Sequence, residues 1–315
     1  MIFSIDHGNE QVKTPHFVFK SGLNRASGFE APGEHGTLFA GEELLDWNGA
    51  TYWLSNNRIP YTRDKTVDST FLILTLFALG KEFERIGKDN FSGDIHIACG
   101  LPVEHYFLGN QRKKTEEYFL KQGKNLRFQY KGHWHTVRIK KVSVYPQGFA
   151  AAISQIDKIS EYGRALIIDI GGYTTDVILL HKGKLLDISQ CWTFDEAGVI
   201  HLCNKIDKAV KGRFDQKIVD SQIYEILNEK EDTTVFSREI KKEVLRIAGE
   251  YAGYILRSLR EHGYDVKSNP AYLTGGGAAL FKPFFERMDL PKHIKYILDV
   301  KANAIGYYKL AELGI

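Results

Sequence analysis

The sequence is poor in cysteine, in charge of one sign and in long apolar runs. Its three cysteines, Cys99, Cys191 and Cys203, are scattered and show no Cys-x-x-Cys spacing. That excludes a zinc ribbon or a disulfide framework and fits a reducing, cytoplasmic setting. A formal net charge of +3 over 315 residues is too small for a protein that coats nucleic acid. Two basic runs, at residues 111–114 and 138–141, read as solvated surface rather than phosphate sites. The most apolar run near the N-terminus, residues 71–79, is far too short to span a bilayer, and the opening Met1-Ile2-Phe3-Ser4-Ile5-Asp6 carries no basic leader. Neither secretion nor a membrane partner is expected. No Gly-x4-Gly-Lys-Ser/Thr occurs, which excludes a P-loop, and no Gly-x-Gly-x-x-Gly with a following acid marks a dinucleotide fold.

What is present is an apolar fraction of 43%, enough for a sizeable core, on a length that fits one large or two moderate α/β domains. A strand over residues 2–5 runs into Asp6-His7-Gly8-Asn9, and Val12 and Lys13 resume extended structure. Residues 21–63, rich in Gly and aromatics with weak periodicity, read as a peripheral insertion. Leu72, Leu76, Leu79 and Phe83 give helical spacing within 67–85. A strand over 93–99, a helix over 104–122 and strands over 126–130 and 135–144 follow. Tyr145-Pro146-Gln147-Gly148 then leads into an Ala-rich helix over 149–160. After that the pattern restarts. A strand over 164–168 runs into Asp169-Ile170-Gly171-Gly172-Tyr173-Thr174-Thr175-Asp176, with further strands over 177–181 and 184–188. A helix starts near Gly198, residues 217–261 hold charged helical sequence, and a strand over 271–273 is turned into a helix by Thr274-Gly275-Gly276-Gly277. A last helix covers 303–313.

One device is used twice: apolar strand, Asp-x-Gly, polar residues, returning strand. Interleaved helices and strands in both halves give an α/β class, with two similar domains facing each other over a cleft. A nucleoside triphosphate needs donors for its phosphates, a metal and an aligned water. Glycine turns let backbone N–H groups reach phosphate oxygens. Asp6 and Asp169, one from each half, are the carboxylates expected to hold Mg²⁺ through its waters. Lys13 is placed to reach back to a β- or γ-phosphate oxygen. Each feature has an ordinary alternative: an Asp-Gly hairpin turn, a solvated strand lysine, or Thr174 and Thr175 as simple β-formers. Asp176 either fixes the turn or assists the metal. Three glycines, Gly275 to Gly277, between a strand and a helix permit close approach to a flat ring or an α-phosphate.

These residues resemble the actin/Hsp70/sugar-kinase superfamily. Asp6-x-Gly8-Asn9-x-x-x-Lys13 is similar to its first phosphate motif, the run Asp169 to Val177 to its second, and Leu273 to Ala278 to its adenosine motif. Tyr145-Pro146-Gln147-Gly148 and Asn303-Ala304-Ile305-Gly306-Tyr307 resemble the two connecting segments. Within the superfamily, the likeness is to the ParM/StbA plasmid-partition group. It implies two ribonuclease H-like domains around a nucleotide cleft. Domain I would span 1–160 with the insertion at 21–63, domain II 161–302 with a helical subdomain near 205–262, and a helix over 303–315 would return to domain I. It implies ATP or GTP with Mg²⁺, phosphate contacts from Gly8, Asn9, Lys13, Gly171, Gly172, Tyr173 and Thr174, and nucleoside contacts from Gly275, Gly276, Gly277 and Asn303. Lys205 could approach the ribose, although such a lysine is more often surface. Gln147 stands where the family carries the residue that orients the attacking water; a neutral Gln aligns water but is a poor general base. The implied behaviour is head-to-tail polymerisation, hydrolysis in the filament, and capture of filament ends by a DNA-bound adaptor of ParR type, with centromere-like DNA contacted only indirectly. A small-molecule kinase would want a carboxylate base in the cleft, and a chaperone-like module an extra substrate domain. A chromosomally encoded filament of other purpose is the remaining alternative.

Overall fold

The computed structural model describes all residues except 28–42, 57, 61, 63, 108, 123–124, 186–187, 229–234, 289 and 292. Two compact units emerge: Met1–Pro146 with Asn303–Ile315, and Gln147–Ala302. The first contains β1 (Ile2–His7), β2 (Gln11–Lys13), β3 (Val18–Lys20), β4 (Gly22–Ser27), β5 (Leu44–Trp47), β6 (Ala50–Ser55), α1 (Thr70–Arg85), β7 (Ser92–Leu101), α2 (Val103–Phe107), α3 (Gln111–Gln122), β8 (Leu126–Tyr130) and β9 (His133–Pro146). The second contains α4 (Phe149–Ala152), α5 (Ile156–Ser160), β10 (Arg164–Ile170), β11 (Thr175–His181), β12 (Cys191–Phe194), α6 (Val199–Phe214), α7 (Asp220–Leu227), α8 (Arg238–Glu261), β13 (Ala271–Thr274), α9 (Gly275–Glu286) and β14 (Ile294–Ile297). The last helix, α10 (Ala302–Leu313), belongs from Asn303 onward to the first unit.

The repeat seen in the sequence is a repeat of sheet topology. In the first unit the order β3-β2-β1-β7-β9 is joined by two antiparallel and then two parallel pairings. In the second, β12-β11-β10-β13-β14 is joined in the same sequence. Parallel neighbours need a crossover, supplied in the first unit by a stretch that includes α1 and in the second by one that includes α6, α7 and α8. The first sheet continues past β9 through β8, β5 and β6 to β4.

Alternation along the central strands decides which face meets which helices. Phe3 and Ile5 of β1 share a buried cluster with α1, whose Leu72, Leu76, Leu79 and Phe83 are fully covered. Leu166, Ile168 and Ile170 of β10 share the other cluster with α6, α8 and α9. Asp6 and Asp169, one place out of phase with those apolar sets, therefore lie on the opposite faces. On β7, Gly100 receives the Tyr307 ring of α10; a Cβ there would stand 2.0 Å from Tyr307 Oη.

Several expectations need correcting. The units divide after Pro146 rather than near residue 160. The stretch from Gln147 is drawn to β10 and β11, with Gly148 against Ile167, Asp169 and Ile178. The insertion at 21–63 is, in its described residues, an extension of the main sheet by β4, β5 and β6; residues 28–42, 57, 61 and 63 lie outside the description. The single helix over 104–122 is two helices, interrupted where Gly109 takes a positive φ of 67°. The Ala-rich helix over 149–160 is broken by a 3-10 turn at Ile153–Gln155. Of the strand expected over 184–188, Lys184 makes only an isolated bridge to His181, Ile188 starts a 3-10 turn, and 186–187 lie outside the description. The third strand is β12 instead.

Candidate nucleotide site

Each unit carries an acidic turn in its first hairpin. The two turns have equal length and register. Asp6 pairs with Lys13 and His7 with Val12; Asp169 pairs with Asp176 and Ile170 with Thr175. Gly8 thus corresponds to Gly171, Asn9 to Gly172, and Lys13 to Asp176.

In the first hairpin, Asp6 is buried and Lys13 Nζ donates to its Oδ2 at 3.3 Å. A Cβ at Gly8 would stand 2.6 Å from the Gln11 carbonyl oxygen and 3.3 Å from Lys13 Nζ, so the turn closes only on glycine. Asn9 Oδ1 is buried without a hydrogen-bond partner among the described residues. Behind the turn, His7 is buried, with its Nε2 2.8 Å from Thr75 Oγ1 and its ring stacked on Phe119. Burial, and then the charge of Lys65, push its pKa down to about 3, so the ring is neutral. Lys65 donates to the His7 carbonyl oxygen. Sequence reasoning missed both His7 and Lys65. Their signal is tertiary, since Lys65 lies 58 residues along the chain.

In the second hairpin, α6 fixes the turn from behind. Val199 N–H donates to the Gly171 carbonyl at 3.1 Å, Ile200 N–H to that of Gly172 at 2.8 Å, and Gly198 N–H to that of Tyr173 at 2.9 Å. Among the described residues all peptide bonds are trans. In a trans peptide the C=O and the next N–H point in opposite directions. Three tied-back carbonyls therefore aim the N–H groups of Gly172, Tyr173 and Thr174 away from α6. Three consecutive N–H groups aimed this way make an anion cradle. Gly198 allows it, because a Cβ there would stand 2.4 Å from the Gly172 carbonyl oxygen. Tyr251 Oη donates to the Glu196 and Gly198 carbonyls and secures the start of α6. Thr175 Oγ1 donates to Ala197 O, a structural bond, whereas Thr174 is half-exposed.

Asp169 and Asp176, both buried, stand opposite each other on one face of the hairpin. Thr193 Oγ1 donates to Asp176 Oδ1 at 2.5 Å, so Asp176 fastens β12. Two buried carboxylates on facing positions repel, and a cation relieves this. Among the described residues no group of three or more His, Cys, Asp or Glu is placed to hold a metal directly. Gln147 is half-buried and precedes Gly148, which at φ 74° packs against the Asp169 face of β10. The structure therefore brings Gln147 and Asp169 into one neighbourhood.

The three glycines of α9 divide in role. A Cβ at Gly275 would stand 2.3 Å from Asp169 Oδ1, and one at Gly277 2.3 Å from Ile170 Cγ2. Both are glycine because the helix start packs tightly on β10. Gly276 alone of the three is exposed, with open space where a Cβ would be. Lys205 is exposed on α6, six residues past the turn that touches the loop, and its side chain makes no hydrogen bond or ion pair among the described residues. Asn303 is half-buried in the first turn of α10. No described helix is long and apolar enough to cross a membrane.

Residues 4–149 match the family described as actin like proteins N terminal domain, and residues 167–287 the family described as archaeal actin homologue MreB-like, C-terminal. No curated protein sequence matches the chain. Among solved structures, the archaeal actin homolog Ta0583 in complex with ADP aligns at 18% identity and a TM-score of 0.72, over 99% of each chain. A 15-stranded ParM filament from Clostridium botulinum aligns at 20% identity and 0.73, again over 99% of each. The actin-like protein Alp7A aligns at 13% identity and 0.76, over 100% of this chain and 97% of its own. With a duplicated five-stranded topology, a paired acidic hairpin in each unit and both halves matched, the chain belongs to the actin-like protein family.

Proposed function

We propose that this protein binds and hydrolyses a nucleoside triphosphate, ATP or GTP, and assembles head to tail into filaments governed by the nucleotide. The observation that carries this reading is the pair of equal turns, each with a buried aspartate next to the end of a central strand and a glycine just beyond it. Gly8, Asn9 and Lys13 serve as phosphate donors in the first unit, and Gly172, Tyr173 and Thr174 in the second, where Gly171 instead closes the turn by donating its N–H to the Thr174 carbonyl at 2.8 Å. Gly276 offers backbone approach on the nucleoside side, where we also place Asn303 and Lys205. Mg²⁺, when bound, neutralises phosphate charge, and Asp6 and Asp169 would hold it through its waters. Gln147 aligns water by hydrogen bonding and leaves it neutral until the phosphoryl bond loosens.

Assembly is supported by family membership and by fold likeness to a protein solved as a filament. A head-to-tail contact is heterologous and extends without closing when its rotation does not complete a ring. The task we infer is segregation of a DNA element, a plasmid in the first instance. A DNA-bound adaptor of ParR type would capture filament ends, leaving centromere-like DNA an indirect partner. Light scattering with simultaneous phosphate release tests the core of this. With ATP or GTP and Mg²⁺, scattering should rise above a critical protein concentration and phosphate should follow. Clear solutions with no phosphate under either nucleotide would reject it.

A further inference from the structure

The two hairpin turns are steadied by different means at the same place. The carbonyl just after the aspartate is that of Ile170 in the second hairpin and of His7 in the first. Ile170 O lies against the start of α9, where a Cβ on Gly275 would approach it to 2.5 Å and one on Gly277 to 2.9 Å. A helix start carries positive partial charge, so that carbonyl faces an electropositive partner. In the first unit the corresponding strand, β7, runs past Gly100 to Leu101 before α2 begins, and Gly100 is covered by Tyr307. Among the described residues the partner at His7 O is the ammonium of Lys65. Lys65 is half-buried in the stretch leading to α1, and its Nζ sits 5.4 Å from the Phe71 ring centroid, a cation–π contact that holds the charge in place.

From this we infer that Lys65 is the positioning residue of the first phosphate turn. The His7 carbonyl and the Gly8 N–H belong to one trans peptide and point in opposite directions. Anchoring the carbonyl on Lys65 fixes the plane of that peptide and so aims the Gly8 N–H away from Lys65. Lys65 need not touch a phosphate to do this. It also leaves a positive charge beside the turn, which favours an anion there. The inference rests on the proposed nucleotide site and names a residue that the phosphate motif itself does not contain.

The test is calorimetric binding of Mg-ADP to the full chain and to Lys65→Met, Lys65→Gln and Lys65→Arg, with a thermal melt of each protein without nucleotide. Losing one charge-assisted tie should weaken binding of Lys65→Met about ten- to hundredfold, while its nucleotide-free melting temperature stays near the parent's. Lys65→Arg, which keeps charge and donor, should recover most of the affinity. Should Lys65→Met not fold, Lys65→Gln, uncharged but still a donor, should bind more weakly than Lys65→Arg. Equal affinity of the parent and of Lys65→Met, or of Lys65→Gln where that variant stands in, overturns the role of Lys65 and leaves the nucleotide site standing. Failure of the parent itself to bind any nucleotide removes the site, and the role of Lys65 with it.

Discussion

At the scale of single residues, glycine carries much of the design because it marks where two backbones meet. Gly198 is the sharpest case. Its Cβ would collide with the Gly172 carbonyl and push the second turn off α6. Gly198→Ala is expected to cost about 1–3 kcal/mol in chemical denaturation, the usual scale of overpacking, and to weaken nucleotide binding; unchanged affinity would detach α6 from the loop's geometry. Asp169→Ala should abolish phosphate release, and normal turnover would exclude that carboxylate. Gln147→Ala should slow phosphate release about a hundredfold, as misplacing a reactant does, with nucleotide binding retained; lost binding would make Gln147 structural. Asp6, Lys13, Asp169 and the glycines were legible in the sequence, because a strand that ends in Asp-x-Gly is a local pattern. The division of labour among Gly275, Gly276 and Gly277 was not. It depends on where Ile170 sits in the neighbouring strand, a contact about a hundred residues away along the chain.

At the scale of elements, the hairpins set the chemistry and the helices behind them set its precision. The central strands β1, β7, β10, β11 and β13 read plainly from apolar runs. Strands β4, β5, β6 and β14 did not, because they are stabilised by sheet neighbours more than by an apolar run of their own. Strand β9 carries a titratable group into the core. His135 is buried between Phe83 and Phe128, its Nδ1 accepting the Phe91 N–H at 3.2 Å. Burial, with a smaller contribution from His133, lowers its pKa from 6.5 to about 4. Between those values the unfolded chain binds the proton and the folded one does not. Stability therefore rises with pH across this window and is lost as pH falls from about 6.5 toward 4; His7 acts in the same sense. Denaturant midpoints should fall between pH 7 and pH 4.5, and less steeply in His135→Gln. An equal slope in that variant would show that the ring does not titrate with folding.

At the scale of the whole molecule, five motifs in order disclosed the family across a chain whose solved likenesses share only 13–20% of their residues in the alignments above. Motifs survive such divergence when backbone geometry, rather than packing volume, fixes the residue type. Assembly surfaces carry no such constraint, and the sequence says nothing of them. A nucleotide-gated polymer should show a sharp concentration threshold, with Asp169→Ala, if it still binds nucleotide, forming longer-lived polymers than the parent. Sedimentation with a chase of unlabelled protein measures this, and equal lifetimes would uncouple turnover from disassembly.

The matched hairpins have one more consequence. Lys13 and Asp176 occupy equivalent corners, so one copy cancels its aspartate's charge and the other doubles it. The duplicated scaffold has thereby become a polar pair at the strand positions behind its two turns: the first aspartate is neutralised by a lysine, while the second shares its face with another carboxylate and attracts a cation beneath its anion cradle. Exchanging those two side chains, Lys13→Asp with Asp176→Lys, would conserve the overall charge while moving the facing carboxylates from the second copy to the first.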